Sequence, residues 1–265
     1  MSRRNSYGIS KVILLGVAFI VLFAGVAVFA YPYFNCVWSE YTMLQDMEAF
    51  LDAVCADSCE PTEGAFLGSI EQSEDAEPTT PEKYPELWSA MQAYNETIFR
   101  EGQAGLSNKT AYETPSFSLL DYGLESEVFA VLEIPSLDLA MPIYLGATKR
   151  HMTQGAAQLS QTSLPIGGNN TNCVLAGHRG WNGAAYFLYI SKLEKGDIVT
   201  VTNLWETLTY EVVETKIISP NEVDEILIQE NRDLLTLLTC HPPASGGKQR
   251  YLVFCERVYE KEDYD

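Results

Sequence analysis

Residues that commonly bind metals or nucleic acids are scarce in this chain. Its 265 residues include only three histidines, and its six cysteines lack the paired Cys-x-x-Cys spacing of zinc sites. Basic side chains are also few, since 17 Lys and Arg face 36 Asp and Glu and give a net charge of -19. Such an acidic chain repels nucleic acid. We therefore expect no nucleic-acid partner, no metal and no other cofactor.

Charged residues are absent altogether from Val12 to Ala30. This apolar run is long enough to cross the hydrocarbon core of a bilayer as a helix, for which about 20 residues are needed. Three basic residues lie just before it, at Arg3, Arg4 and Lys11. Because positive charge is retained on the cytoplasmic side, we predict a cytoplasmic N-terminus at 1–11, a transmembrane anchor at 12–30 and an extracytoplasmic remainder.

A cleaved signal peptide is the alternative interpretation of this segment. Val28 and Ala30 would then be the small residues before the cut. The apolar run is longer than the ~7–15 residues of a usual signal-peptide core, which favours the anchor. Both interpretations place the rest of the chain outside the cytoplasm.

Between the anchor and the next region, the sequence predicts a small helical extension at 31–124. Apolar residues recur at helical spacing from Met43 to Val54, and another apolar face marks a helix from Pro85 to Arg100. Residues 57–83 between them are acidic and rich in Pro, Ser and Gly, which is typical of a loop. We interpret this loop either as a lid over a functional cleft or as a disordered spacer.

After residue 124, short apolar runs separated by turn residues indicate strands. Strands are predicted at Val128–Ile134, Met141–Tyr144, Cys173–Ala176, Ile198–Val201, Thr207–Val213, Lys216–Ser219, Leu235–Leu238 and Tyr251–Arg257. Their number and spacing predict a mainly β fold, an all-β barrel or sandwich with little helix.

Most of the cysteines are expected to be structural. Cys173 and Cys255 lie within apolar strands, where a thiol is usually a core residue. Cys36 is interpreted as apolar filler next to the membrane. Cys55 and Cys59 are four residues apart, a spacing at which a disulfide is usually strained, so two free thiols are favoured over a bond.

Cys240 is the candidate nucleophile, because possible catalytic partners lie at neighbouring strand ends. His178 follows the strand at 173–176 in a glycine-rich turn, and Arg250 opens the strand after Cys240. A catalytic thiol needs a base, and the negative charge that develops on a carbonyl oxygen needs a hydrogen-bond donor. Each residue also has a structural interpretation, as a core thiol, a turn histidine and a solvated charge at a strand edge.

The other two histidines are weaker candidates. His241 adjoins the nucleophile, but neighbouring residues of a strand point to opposite faces of the sheet, so His178 is favoured as the base. No motif surrounds His151, which is expected to be a surface side chain.

The phrases around these residues resemble the sortase family, and within it the class C branch that polymerises pilins. The stretch 236–240 (TLLTC), with Arg250 downstream, resembles the cysteine signature, and 176–180 (AGHRG) resembles the histidine signature. Similar stretches follow the family's order at 132–137 (LEIPSL), 142–146 (PIYLG), 163–168 (SLPIGG) and 193–198 (LEKGDI). The resemblance implies an eight-stranded sortase-type β-barrel, with the catalytic domain at 125–265.

What the resemblance implies is a membrane-anchored cysteine transpeptidase that cleaves an LPxTG-like sorting signal between Thr and Gly. Cys240 would form a thioacyl enzyme, His178 would act as acid and base, and Arg250 would hydrogen-bond the oxyanion. Thr239 is a candidate substrate-binding residue, with a β-propensity residue at a strand end as the alternative. Implied partners are LPxTG-bearing surface proteins or pilins and an amine, either a pilin lysine or a lipid-linked peptidoglycan precursor. The implied location is the cell membrane of a Gram-positive type bacterium.

Two segments depart from the class C pattern. In that class Thr-Pro-Tyr follows the cysteine and Asn-Thr-His precedes the arginine, whereas this chain has HPPASGGKQ at 241–249. The lid motif of the class, an Asp followed by Pro and an aromatic residue, is absent from 57–83. The sequence therefore indicates the family more firmly than the subclass.

Two other functions compete with this interpretation. A caspase-like cysteine protease also places its histidine before its cysteine, but the Gln-Ala-Cys context of that family is missing here. A non-catalytic, membrane-anchored β-domain in surface assembly would explain the anchor and the strands, but it would leave the His178, Cys240 and Arg250 phrases without a role.

Overall fold

A computed structural model describes residues 4–55, 81–108, 114–181 and 183–259 of the chain. Most of the acidic loop at 57–83, together with Cys59, lies outside the described residues. The question of a lid and that of a Cys55–Cys59 disulfide therefore stay predictions.

The predicted anchor and the helix that follows it form one continuous helix, α1 (Arg4–Cys55). Its N-terminal part presents apolar side chains outward, with Phe29 exposed to 89%, and it has the length and apolarity to cross a membrane. Its C-terminal part buries Met43, Met47 and Phe50 against the rest of the protein. These three residues lie on the face that the helical spacing predicted.

The helix predicted at Pro85–Arg100 is confirmed with the same bounds, as α2. It buries Leu87, Trp88 and Met91, and the Trp88 ring packs edge-to-face on Trp205 with ring centroids 4.8 Å apart. Because these residues belong to the same apolar core as the barrel strands, the helical extension packs on the barrel.

The other described residues are mainly β, with one short α-helix, α3 (Lys149–Met152), and several short 3-10 helices. The strands are β1 (Val128–Ile134), β2 (Leu139–Leu145), β3 (Ala156–Gln158), β4 (Thr171–Ala176), β5 (Arg179–Trp181), β6 (Ala184–Tyr186), β7 (Ile198–Thr202), β8 (Thr207–Ile218), β9 (Asp233–His241) and β10 (Gln249–Arg257).

Eight of these strands form a closed barrel in the order β1-β2-β3-β4-β9-β10-β8-β7, which confirms the predicted eight-stranded barrel. The pairs β2–β3 and β4–β9 are parallel and the others are antiparallel. All six residues of β4 are buried, so both faces of this strand in the barrel wall are covered by other parts of the protein. The remaining strands, β5 and β6, form a separate hairpin.

The predicted division into strands was wrong in three places. The strands predicted at Thr207–Val213 and Lys216–Ser219 are one strand, β8, because β10 pairs with it from Ile218 back to Tyr210, with one shift of register between Phe254 and Cys255. The barrel reaches eight strands through β3, which the sequence did not reveal because it has only three residues. The hairpin β5–β6 was missed for the same reason.

The buried cysteines and one histidine complete the comparison with the sequence. Cys173 and Cys255 are 3% and 0% exposed, which confirms them as core thiols. The prediction that His151 is a surface side chain was wrong, because it is 6% exposed and stacks on Tyr144 with ring centroids 5.1 Å apart. Its Nδ1 lies 2.8 Å from the carbonyl oxygen of Gly146, which supplies the partner that a buried imidazole needs.

Candidate active site

Cys240 and Arg250 face each other across two neighbouring strands. Cys240 is the penultimate residue of β9, Arg250 is the second residue of β10, and the two are directly paired in the antiparallel register. A Cβ atom added to Gly247 would lie 3.0 Å from Nη1 of Arg250 and 3.4 Å from Sγ of Cys240. The thiol and the guanidinium therefore border the same small space beside the β9–β10 loop.

The β9–β10 loop also holds the guanidinium in place. Nη1 of Arg250 donates hydrogen bonds to the carbonyl oxygens of Gly247, at 2.7 Å, and Gln249, at 3.1 Å. Both bonds use the same nitrogen, so the remaining N–H groups of the guanidinium belong to Nε and Nη2.

The turn that carries His178 is tied to the strand that carries Cys240. The backbone N–H of Gly177 donates to the carbonyl of Leu238 at 3.0 Å, and the hydroxyl of Thr239 donates to the carbonyl of Gly177 at 2.8 Å. A Cβ atom on Gly177 would lie 2.5 Å from the Phe187 ring, so only glycine permits this close packing. The three residues predicted from the sequence are thereby brought to one end of the barrel.

Two aromatic rings contact the imidazole of His178. Trp181 stacks on it with ring centroids 4.7 Å apart and an interplanar angle of 17°. Tyr186 approaches edge-to-face, at 6.1 Å and 89°. Burial among these groups lowers the pKa of His178 below the ordinary value of a histidine, which favours the neutral imidazole.

Arg179 is a second cation beside Cys240, and it was not predicted from the sequence as a site residue. Its Nη1 lies 3.4 Å from the carbonyl oxygen of Cys240 and 3.2 Å from Nδ1 of His241, and its guanidinium lies over the Tyr251 ring. Burial lowers the pKa of Arg179, while Tyr251 and Cys240 act in the opposite direction. Arg179 directly follows His178, but nothing in the sequence distinguished it from a solvated charge.

Trp181 and Tyr186 were also missed. Both belong to the hairpin β5–β6, which the periodicity of the sequence does not reveal, and Trp181 is 44% exposed. Their position three and eight residues after His178 was the only signal available.

The contacts of His241 and Thr239 differ from those of Cys240. His241 contacts Arg179 and packs against Tyr251, which is the β10 residue next to Arg250. Since successive residues of a strand point to opposite faces, these contacts place His241 on the face opposite Cys240. Thr239 is 1% exposed and its hydroxyl donates to Gly177, so in this structure it supports the His178 turn.

A groove of about 260 Å³ lies beside Arg250. Its walls are mostly apolar and come from the β2–α3 region, from β4 and β9, and from the segment after β8. They include Met152, Leu159, Ile218, Val223, Ile226 and Leu238, with Arg250 and Glu222 as the charged members. Leu238 and Arg250 line the groove from the same face of β9 and β10 that carries Cys240.

Comparison with known proteins agrees with this arrangement. A family model described as a sortase domain matches residues 132–258. Sortase D of Bacillus subtilis strain 168 is 31% identical over 130 residues, which are 48% of this chain and 63% of that protein. The chain thus spans less than two thirds of the length of this curated relative.

Two solved structures extend the similarity. The structure of sortase C2 from pilus island 1 of group B Streptococcus is 34% identical, with a TM-score of 0.57, and the match covers 66% of this chain and 97% of the other. That of sortase C-1 from Actinomyces oris is 34% identical, with a TM-score of 0.55, and the match covers 66% and 99%. Both are named sortase C, in agreement with the class C resemblance of the sequence. Because the match includes nearly the whole of each solved relative and the same closed barrel, the chain belongs to the sortase family.

Proposed function

We propose that this chain is a membrane-anchored cysteine transpeptidase with Cys240, His178 and Arg250 as its catalytic residues. Members of the family are cysteine transpeptidases, and the observation that carries the proposal is local. Cys240 and Arg250 are cross-strand partners, and the turn bearing His178 is hydrogen-bonded to the same strand end. A nucleophile, a proton carrier and an oxyanion donor are thereby available at one end of the barrel.

In the proposed reaction, the Cys240 thiolate attacks the Thr-Gly carbonyl of an LPxTG-like sorting signal. The Nε and Nη2 groups of Arg250 donate to the oxyanion, because Nη1 is already bonded to the β9–β10 loop. His178 protonates the leaving amine, and a thioacyl enzyme remains. An incoming amine then attacks the thioester and transfers its proton to His178, which restores the free thiol and forms the new amide bond.

Burial affects how the first step begins. Because burial lowers the pKa of His178, the imidazolium that protonates the leaving amine is a minor form at neutral pH. Reaction proceeds from this minor form, and a bell-shaped dependence of kcat/KM on pH is expected.

The groove beside Arg250 is proposed to bind the apolar Leu-Pro part of the sorting signal. Its apolar lining suits these side chains, and it includes Arg250, which is the cross-strand partner of Cys240. The acceptor is proposed to be a pilin lysine, because the solved relatives include a sortase of a pilus island. A peptidoglycan precursor amine is the other acceptor that the test below includes.

Peptide turnover by the full chain in detergent micelles tests the proposal. The chain is incubated with an LPxTG peptide and either a lysine-bearing pilin peptide or a peptidoglycan precursor amine, and the products are identified by mass spectrometry. We expect cleavage between Thr and Gly, formation of the new amide, and loss of both in Cys240→Ala. The thiol at Cys36 is also partly exposed, so Cys36→Ala is the matched control and should retain turnover.

Three outcomes would contradict the proposal. Hydrolysis after Asp would indicate the caspase-like alternative, and no turnover of any peptide would favour a non-catalytic domain. Amide formation that survives in Cys240→Ala would exclude Cys240 as the nucleophile.

A further inference from the structure

Helix α1 passes directly beside the hairpin that follows His178. A Cβ atom on Gly183, between β5 and β6, would lie 3.0 Å from Cβ of Cys36 and 3.5 Å from the carbonyl oxygen of Pro32. Both are α1 residues just after the apolar segment. The helix thus packs closely against the tip of the hairpin.

One hydrogen bond fixes this contact further along the helix. The hydroxyls of Ser39, in α1, and Tyr186, in β6, are 2.9 Å apart. The Tyr186 hydroxyl donates its only proton to the carbonyl of Thr153 at 2.7 Å, so Ser39 must be the donor in the bond between the two hydroxyls. Tyr186 therefore has a defined partner on each side, one from the helix and one from the barrel.

Tyr186 is held in a conformation that needs such support. The residue is 3% exposed, and its φ of +43° lies in the left-handed region, which is unfavourable for a residue other than glycine. Strained backbone of this kind persists only where the surroundings enforce it. Here the hydrogen bonds of the Tyr186 hydroxyl with Thr153 and with Ser39 of α1 hold the residue in place.

The Tyr186 ring in turn limits the position of His178. Its edge-to-face contact closes one side of the imidazole, while Trp181 covers the face. The next residue, Phe187, donates its backbone N–H to the His178 carbonyl at 2.9 Å. The hairpin is therefore attached to His178 through both side chain and backbone.

From these contacts we propose that Ser39 and Tyr186 are positioning residues, through which helix α1 holds the His178 imidazole in its reactive orientation. The inference rests on the proposed role of His178 in proton transfer. The helix that carries the apolar segment is then a part of the catalytic apparatus as well as an anchor. Positioning of this kind acts on the chemical step more than on the binding of the peptide.

The same helix provides a matched control. Its Asp46 accepts a hydrogen bond of 2.8 Å from the Tyr144 hydroxyl, and the Tyr144 ring stacks on His151 rather than on His178. Tyr144→Phe and Tyr186→Phe therefore remove the same atom from the same helix–barrel interface. Of the two tyrosines, only Tyr186 contacts the imidazole of His178.

Kinetics of the full chain in detergent micelles is the first measurement. We expect Ser39→Ala and Tyr186→Phe to lower kcat for an LPxTG peptide by about tenfold, with KM little changed, because orientation is lost at the chemical step. Ser39→Thr retains a hydroxyl and should restore most of the rate. Tyr144→Phe should keep the wild-type kcat, even where its thermal stability falls as much as that of Tyr186→Phe.

The second measurement does not depend on turnover. In the wild type, the ring currents of Trp181 and Tyr186 shift the His178 Hε1 resonance, which NMR detects at one fixed pH and assigns with His178→Gln. We expect this resonance to move towards the free imidazole position in Ser39→Ala and Tyr186→Phe and to stay in place in Tyr144→Phe.

Three results would overturn the inference. These are an unmoved His178 resonance in Ser39→Ala, an equal loss of kcat in Tyr144→Phe, and a Ser39→Thr variant as slow as Ser39→Ala. A different result would contradict the proposed function alone. If the wild type is inactive but the His178 resonance still moves in Ser39→Ala and Tyr186→Phe, the positioning network remains supported.

Discussion

The sulfur of Cys240 differs from that of the core cysteines in its surroundings. Burial raises the pKa of the Cys173 and Cys255 thiols well above the ordinary value, so neither forms a thiolate near neutral pH. Cys240 is only partly buried, and the guanidinium groups of Arg250 and Arg179 lie on either side of its strand end. At the scale of single residues, the environment selects one of the described thiols for chemistry.

The space that Cys240 shares with Arg250 depends on a glycine. Gly247 has a φ of +78°, and a Cβ atom there would press on Arg250 and approach the sulfur. We expect Gly247→Ala to lower kcat/KM by roughly tenfold or more, because the guanidinium must leave its position near the oxyanion. Peptide cleavage assays measure the effect.

Gly246 supplies the control for this prediction. Its φ of +70° makes alanine equally strained, but no atom lies within 4 Å of the added Cβ. Gly246→Ala should therefore share any loss of stability and keep most of the activity. Equal loss of activity in both variants would show that backbone strain, and not the crowding of Arg250, is responsible.

The buried His151 predicts a dependence of stability on pH. Burial lowers its pKa below that of the unfolded chain, which is about 6.5, so the unfolded state binds a proton more readily. The stability that the neutral His151 side chain contributes is therefore fully present above about pH 6.5, and it is lost as the pH falls below that value. We expect His151→Gln to lose less stability than wild type between pH 7.5 and pH 5.5, as measured by denaturant unfolding. A loss equal to that of the wild type would contradict the prediction.

At the scale of elements, the C-terminal half of α1 belongs to the folded core. Met47 is 7% exposed on the face that contacts β1 and β2, whereas Leu44 is 53% exposed. We expect Met47→Ala to reduce the free energy of unfolding by about 2 kcal/mol or more. Leu44→Ala, which removes a side chain of similar size, should change it by no more than about 0.5 kcal/mol. Thermal unfolding in detergent micelles distinguishes the two, and equal effects would show that the helix is not docked as described.

Strand β9 and the turn before His178 are coupled by the Thr239 hydroxyl. Thr239→Val leaves the Gly177 carbonyl without this donor and should cost about 1–3 kcal/mol of stability. It should also lower kcat, because the turn that bears His178 loses a tie to the nucleophile strand. Thr236→Val removes a similar bond from the same strand, to Asn172, away from the turn. We expect Thr236→Val to lose as much stability as Thr239→Val but to retain the wild-type kcat. A drop in kcat comparable with that of Thr239→Val would contradict the coupling.

At the scale of the whole molecule, the single helix α1 joins the apolar segment to the catalytic barrel without a break. We expect the mature protein to keep its N-terminus and to stay in the membrane fraction after alkaline extraction. Deletion of residues 12–30 should release it. Mass spectrometry of the mature chain supplies the second test, since a cut after Ala30 would indicate the signal-peptide interpretation.

Features that depend on local pattern were available from the sequence. Alternating and continuous apolar runs gave β1 and β4, and the proline and glycine around an apolar face gave helix Pro85–Arg100. The placement of Cys240, His178 and Arg250 at strand ends followed from the same patterns, and motif resemblance gave the family. These elements are predictable because neighbours in sequence determine them.

Contacts between distant residues decided the rest. Strand β3 has three residues and is defined by its partners β2 and β4, and β8 is one strand because β10 pairs with it from Tyr210 to Ile218. His151 is buried by Tyr144 and not by any feature of its own surroundings in sequence. The sequence by itself determined which residues are proposed to carry the chemistry, Cys240, His178 and Arg250. The tertiary structure alone revealed that Ser39, 147 residues before Tyr186, contacts the hairpin that follows His178. Periodicity records which face of an element is apolar, but it does not record which distant side chain covers that face.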